Sequence, residues 1–197
     1  MKRRILVWLI VLVVLGALIA GGIYVVNVGY DKYERAAYPL KYEEYVTKYA
    51  EEFDLQPSLV YAVIRTESRF DPHAESGAGA KGLMQLMDAT YTWAQSRLPG
   101  EDEPIEKIFD PEINIRCGCK YLQYCFSKFE NTRAALAAYN AGVGRVSGWL
   151  KDSRYSDDGV TLKTIPIDET RNYVDYVLEA QAIYQRLYQV DGRNNDV

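Results

Sequence analysis

Residues 5–26, ILVWLIVLVVLGALIAGGIYVV, run for 22 positions without a charged side chain, directly behind Lys2, Arg3 and Arg4. No other feature constrains the fold as tightly. As a helix rising about 1.5 Å per residue the run is about 33 Å long, enough for a hydrocarbon core of roughly 30 Å. Inside lipid a single segment must be helical, because only then are its own backbone groups satisfied. The basic cluster in front would stay in the cytoplasm, and the rest of the chain would lie outside. A cleaved signal peptide is the rival reading. Its apolar region is ordinarily about 7–15 residues, and the only small-x-small site is Ala20-Gly-Gly22. Both readings export the remainder. The expectation is a single-pass membrane protein with a cytoplasmic N-terminus: a basic tip and transmembrane helix over 1–28, a short juxtamembrane linker over 29–38, a domain over 39–190 and a disordered tail over 191–197.

The exported part is acidic. Without Lys2, Arg3 and Arg4 the chain holds 20 basic against 27 acidic residues, a net −7. A nucleic-acid binder needs a basic face, so that class is excluded; a neutral sugar polymer is not. Cys117, Cys119 and Cys125 crowd one segment, an odd count that leaves at least one thiol free. On one helix no pair of them bridges easily. His73 is the only histidine, so no zinc site suggests itself. The cysteines read as small core residues and His73 as a surface loop residue.

Helical spacing dominates the chain from residue 42 onward. Tyr42, Tyr45, Val46, Tyr49 and Phe53 recur on one face. Gln56-Pro57-Ser58 then starts a second helix with proline in its first turn. Residues 71–81 are rich in Pro, Ser and Gly and read as loop; 83–98 reads as helix, with Asp88 available as a cap. Asp110-Pro111 opens another helix to about 129. Thr132 can cap the next, which Gly142 and Gly144 terminate. Residues 151–163 read as a flexible polar loop that could cover a cleft. Asp168 then caps a long helix to about 190. No alternating strand pattern of useful length appears, so the fold class is all-α, with a minor hairpin at most.

Glu67 breaks the pattern of the second helix. It falls seven residues after Val60, four after Val63 and three after Ile64, on the apolar stripe. Its neighbours three and four positions away are Val63, Ile64, Phe70 and Asp71, none of them a cation. A carboxyl so placed has its charged form disfavoured and its pKa raised, the tuning a general acid needs near neutral pH. The plainer alternative is a glutamate at the stripe's edge, reaching water or an arginine from another helix. Residues 76–87, SGAGAKGLMQLM, add three glycines and small side chains that let backbone approach a ligand.

Four blocks then combine. Glu67-Ser68, Ser76 with GLMQLM (82–87), AYNAG (138–142) followed by Gly144-Arg145-Val146, and Ile165-Pro166 with ETRNYV (169–174) stand in that order. Together they resemble the catalytic region of the soluble lytic transglycosylases (SLT family), over roughly 42–188. The resemblance implies a lysozyme-like, goose-type helical domain that uses no cofactor and no metal. Its partner would be peptidoglycan glycan strands, with the membrane engaged through the N-terminal helix; protein partners are not indicated. It further implies that Glu67 carries both proton transfers in cleaving the bond between N-acetylmuramic acid and N-acetylglucosamine, leaving a 1,6-anhydro end. The substrate's acetamido group would supply the second catalytic group, which fits the lack of a second acid in a comparably apolar setting. Ser76 would contact the reacting sugar, Met84 and Gln85 would line the cleft beside the acid, and Tyr139 with Asn140 would form the other wall. The Tyr173 hydroxyl would bond near Glu67. Asp88 stands where the family commonly has proline. A hydrolytic muramidase on the same fold and a wall-binding module without turnover remain the alternatives.

Overall fold

The structure, a computed structural model, describes residues 2–100 and 103–191; the side chains of 2–7, 9–14 and 27 lie outside that description. The chain divides into two compact units, Met1–Pro39 and Leu40–Val197. The first contains one helix, α1 (Lys2–Ala37), which continues through the segment expected to be a linker. Among the described residues no helix is long and apolar enough to cross a membrane. Much of the expected span, however, falls on the side chains outside the description.

The second unit is helical throughout: α2 (Glu43–Glu52), α3 (Pro57–Ser68), α4 (Asp88–Gln95), a 3₁₀ turn at Ile105–Phe109, α5 (Pro111–Lys128), α6 (Thr132–Ala141), α7 (Val143–Leu150) and α8 (Asp168–Tyr188). Among the described residues the only β-pairing is two isolated bridges, Glu75 with Lys81 and Lys81 with Leu86. Pro57 occupies the first turn of α3, where its missing N–H costs nothing. Asp110 caps α5, accepting from the Glu112 and Ile113 amides at 3.0 and 3.2 Å. The most extensive pairing sets α3 against α8, with the Tyr61 and Tyr184 rings stacked at 5.2 Å. Val60, Val63, Ile64, Val174 and Val177 are fully buried, as are all three cysteines, whose thiols are free.

Several local expectations are corrected. Residues 83–87 are not helical: Lys81 and Leu86 exchange both backbone hydrogen bonds at 2.9 Å, closing a tight turn before α4 begins. Asp88 does not cap α4 but pairs with Lys81 at 2.8 Å. The cap of α6 is Asn131, which accepts from the Ala134 amide, and not Thr132. Gly142 ends α6 and also begins α7, with Gly144 inside the latter, because φ +94 lets one glycine turn the chain between two helices. Asp168 makes no cap and pairs with Arg171. The 151–163 loop is tied down: Asp158 accepts from the Val160 and Thr161 amides, and Ser156 and Leu162 are buried. Asp191, expected to fray, accepts from the Ser58 amide at 2.9 Å and its hydroxyl at 2.6 Å, joining the end of α8 to the start of α3. Residues 192–197 of the expected tail lie outside the described residues.

Candidate active site

The last turn of α3 carries Glu67, and the helix stops one residue later because Arg69 and Phe70 both take left-handed backbone angles. Val63 and Ile64 lock the inner face of that turn into the core. Glu67 is therefore held partly open, at the floor of a cleft of about 400 Å³ that it shares with Ser76, Gln85, Met87, Thr90, Tyr121, Tyr139, Asn140, Gly142 and Glu169.

Burial pushes the Glu67 carboxyl up to about 8, and the Glu169 carboxylate adds to the rise. The Tyr173 hydroxyl opposes it by facing the same carboxyl. That hydroxyl is buried and makes no hydrogen bond of regular geometry, so its influence on Glu67 is a directed dipole rather than a closed bond. Among the described residues no cation contributes to the balance. At pH 7 a carboxyl with such a value is protonated by roughly ten to one. The Tyr139 and Tyr173 hydroxyls, also desolvated and beside Glu67, are held far above their ordinary range and remain donors.

The turn at 82–87 forms one wall of the cleft, and its conformation is set from outside. Asn114, fully buried on α5, accepts from the Met84 amide at 2.8 Å and donates to the Lys81 and Ile108 carbonyls. Ser68 Oγ donates to the Leu83 carbonyl at 2.8 Å, and Tyr139 Oη to the Met84 carbonyl at 2.9 Å. A side chain on Gly82, where φ is +76, would overlap the Asn114 amide. Gln85 takes φ +49, a conformation non-glycine residues rarely adopt. Its Nε2 donates to the Ala74 and Gly82 carbonyls, which leaves Oε1 as the atom free to accept.

Five of the residues named from sequence, Glu67, Ser76, Gln85, Tyr139 and Asn140, line this one cleft, and Tyr173, buried, sets its hydroxyl against Glu67. Ser76 accepts from the Ala80 amide; Asn140 accepts from Thr170 Oγ1 at 2.7 Å. Met84 is the exception. Its side chain is fully buried against Gly118, and only its backbone serves the site. The methionine that reaches the cleft is Met87, 44% exposed. The resemblance implied Met84 beside the acid; the turn buries that side chain and exposes Met87 to the cleft instead. Glu169 was missed as well, although it opens the ETRNYV block, because an exposed acid at a helix start has the signature of a dipole partner. Among the described residues no three His, Cys, Asp or Glu side chains converge to hold a metal ion.

The profile of the family described as the transglycosylase SLT domain matches residues 44–160. The soluble lytic murein transglycosylase of Escherichia coli K12 is 41% identical over 152 residues, 75% of this chain and 23% of that protein. The membrane-bound lytic murein transglycosylase C of Serratia proteamaculans is 32% identical over 168 residues, 74% of this chain and 47% of that one. Among solved structures, an inactive mutant of lytic transglycosylase Slt from Pseudomonas aeruginosa superposes with a TM-score of 0.70 at 38% identity. It covers 78% of this chain and 25% of its own. The 70-kDa soluble lytic transglycosylase in complex with bulgecin A gives 0.68 at 36% identity, covering 78% and 25%. The chain thus spans about a quarter of the soluble relatives' length and about half that of the membrane-bound ones.

Proposed function

Because the chain belongs to the transglycosylase SLT domain family, we propose that its second unit cleaves peptidoglycan by non-hydrolytic transfer, with Glu67 as the single acid and then base. The observation that carries this reading is one carboxyl lining a cleft, raised to about 8 by burial and paired with no cation among the described residues.

Glu67 enters protonated and gives its proton to the glycosidic oxygen between N-acetylmuramic acid and N-acetylglucosamine. As the C1–O bond breaks, the muramic acetamido oxygen bonds to C1 and disperses the positive charge as an oxazolinium. The Glu67 carboxylate then takes the C6 hydroxyl proton while that oxygen displaces the acetamido oxygen from C1. A 1,6-anhydro ring results, no water is consumed, and Glu67 ends protonated. Ser76, Gln85 and Asn140 offer polar atoms around the reacting sugar, and Met87 an apolar surface. Tyr173 holds a hydroxyl toward the acid in both of its states. Tyr139 acts through the turn, since its hydroxyl is committed to the Met84 carbonyl.

Glu169 favours a second reading. A second carboxylate lining the cleft could activate water, as in glycosidases that use two acids, and the outcome would be hydrolysis. Product mass separates the two: hydrolysis leaves a reducing end heavier by one water. Under the first reading Glu169→Gln still yields anhydro ends, and under the second it abolishes turnover.

The anchor belongs to the same proposal. Residues 5–26 carry no charge behind three basic residues, and Leu18, Ile19, Ile23, Val25 and Val26 lie on α1 with 57% or more of their surface bare. A lipid environment removes that cost. The domain then works outside the cytoplasm at the membrane. Fractionation tests this: the full chain sediments with membranes and resists high salt, and a chain starting at Tyr30 stays in the supernatant. Recovery of the full chain in the soluble fraction counts against the anchor.

A further inference from the structure

A second cavity, of about 930 Å³, lies where α2, the start of α3 and the end of α8 meet, and it shares no residue with the cleft around Glu67. Glu43, Glu51, Asp54 and Asp191 bring four carboxyl groups to its lining, and no lysine, arginine or histidine is among the described residues there. Asp191 is already engaged with Ser58 and Gln185. Glu43, Glu51 and Asp54 enter no ion pair among the described residues. Lys48, on the same helix as the two glutamates, is taken up by Glu112 at 2.7 Å. Tyr61 supplies an independent observation. It lines the cavity yet is only 1% exposed, and its hydroxyl has no hydrogen-bond partner among the described residues. Glu43 and Tyr188, the groups whose charge that hydroxyl feels, both line the same cavity. A buried hydroxyl left without a partner is costly, and phenylalanine would fill the same space without that cost.

We propose that this cavity binds a basic peptide segment of a partner protein, with a lysine or arginine side chain among Glu43, Glu51 and Asp54 and a backbone carbonyl accepting from Tyr61 Oη. Charge complementarity selects a cation, since three carboxylates otherwise face one another with no counter-charge. The Tyr61 proton narrows the choice further. A hydroxyl proton needs an acceptor; a polyamine has none, whereas a peptide brings carbonyls together with its cations. The long stems of lysine and arginine also suit the apolar part of the lining, where Leu40, Leu55 and Val190 lie. The site is independent of the chemistry at Glu67, and its occupant would hold the domain to a second protein while the cleft stays open.

The full chain in non-ionic detergent is titrated with a fluorescein-labelled tetralysine amide, read by anisotropy, and with spermine as a cation that carries no carbonyl. Glu51→Gln combined with Asp54→Asn weakens tetralysine binding about tenfold. Glu44→Gln combined with Glu52→Gln removes as much charge from α2 but outside this cavity, and it weakens binding less than about twofold. Tyr61→Phe weakens the peptide about fivefold, leaves spermine binding unchanged and does not lower the thermal midpoint. Equal weakening by the two double variants would mean a diffuse acidic surface and would overturn the proposal. Spermine binding as tightly as tetralysine, or no tetralysine binding up to about 1 mM at low salt, would overturn it too. None of these readouts involves turnover, so a failure here leaves the reading of Glu67 untouched.

Discussion

The Tyr139 hydroxyl on α6 donates to the Met84 carbonyl at 2.9 Å, across 55 positions of sequence. It fastens one wall of the cleft to the turn that forms the other. Tyr139→Phe strands a buried carbonyl, a cost of about 1–3 kcal/mol. Denaturant unfolding should show that loss, and turnover should fall through kcat more than through KM, since the change loosens Gln85 beside the acid. An unaltered kcat would show that the turn keeps its shape without this bond.

Asn114 has the larger share of the same turn. Asn114→Ala removes three hydrogen bonds from a fully buried site and should cost more than about 3 kcal/mol. Asn114→Asp preserves shape but opposes a carboxylate to the Lys81 and Ile108 carbonyls, so it should be no better. A thermal midpoint close to the parent's in the aspartate variant would mean the amide protons are dispensable.

The pH dependence is set by the sign of the Glu67 shift. Its folded value, about 8, lies above the ordinary 4.5, so its contribution to stability is fully present below about 4.5 and is lost as pH rises through about 8. Glu67→Gln should therefore gain stability relative to the parent at pH 9 and not at pH 4. Activity should fall along the alkaline limb as the acid ionises. Because Glu169 adds to the rise, Glu169→Gln should move that limb to lower pH, most visibly at low salt. A limb that stays in place would remove Glu169 from the balance.

Asp191 bonds both the Ser58 amide and hydroxyl, and accepts from Gln185 Nε2 at 2.9 Å. It serves as a cap for α3 supplied from the other end of the domain. Asp191→Ala should lower stability by about 1–2 kcal/mol, measured as a fall in the urea midpoint. Chains ended after Tyr188 should match that variant rather than the parent.

The sequence carried the helices and the acid, because both are local. Pro57 and Asp110-Pro111 announce helix starts through their own chemistry, and Glu67 shows its burial through neighbours three and four residues away. The 82–87 turn was not legible, since its shape depends on Ser68, Asn114 and Tyr139, each from a different helix. The burial of Met84 was hidden for the same reason, since it follows from the shape of that turn. α7 was hidden by glycines that read as a terminator, and nothing local reveals that Gly142 serves two helices. Asp191 looked like a tail because its partner lies 133 residues away.

If Glu67 performs both proton transfers, no water enters the product. The most direct test is mass spectrometry of the reducing ends released from peptidoglycan by the Tyr30-onward domain, with Glu67→Gln in parallel. The expected result is 1,6-anhydro ends from the parent and no release from the variant. Reducing ends heavier by one water, or anhydro ends still formed by Glu67→Gln, would rule out Glu67 as the sole acid and base of a non-hydrolytic cut.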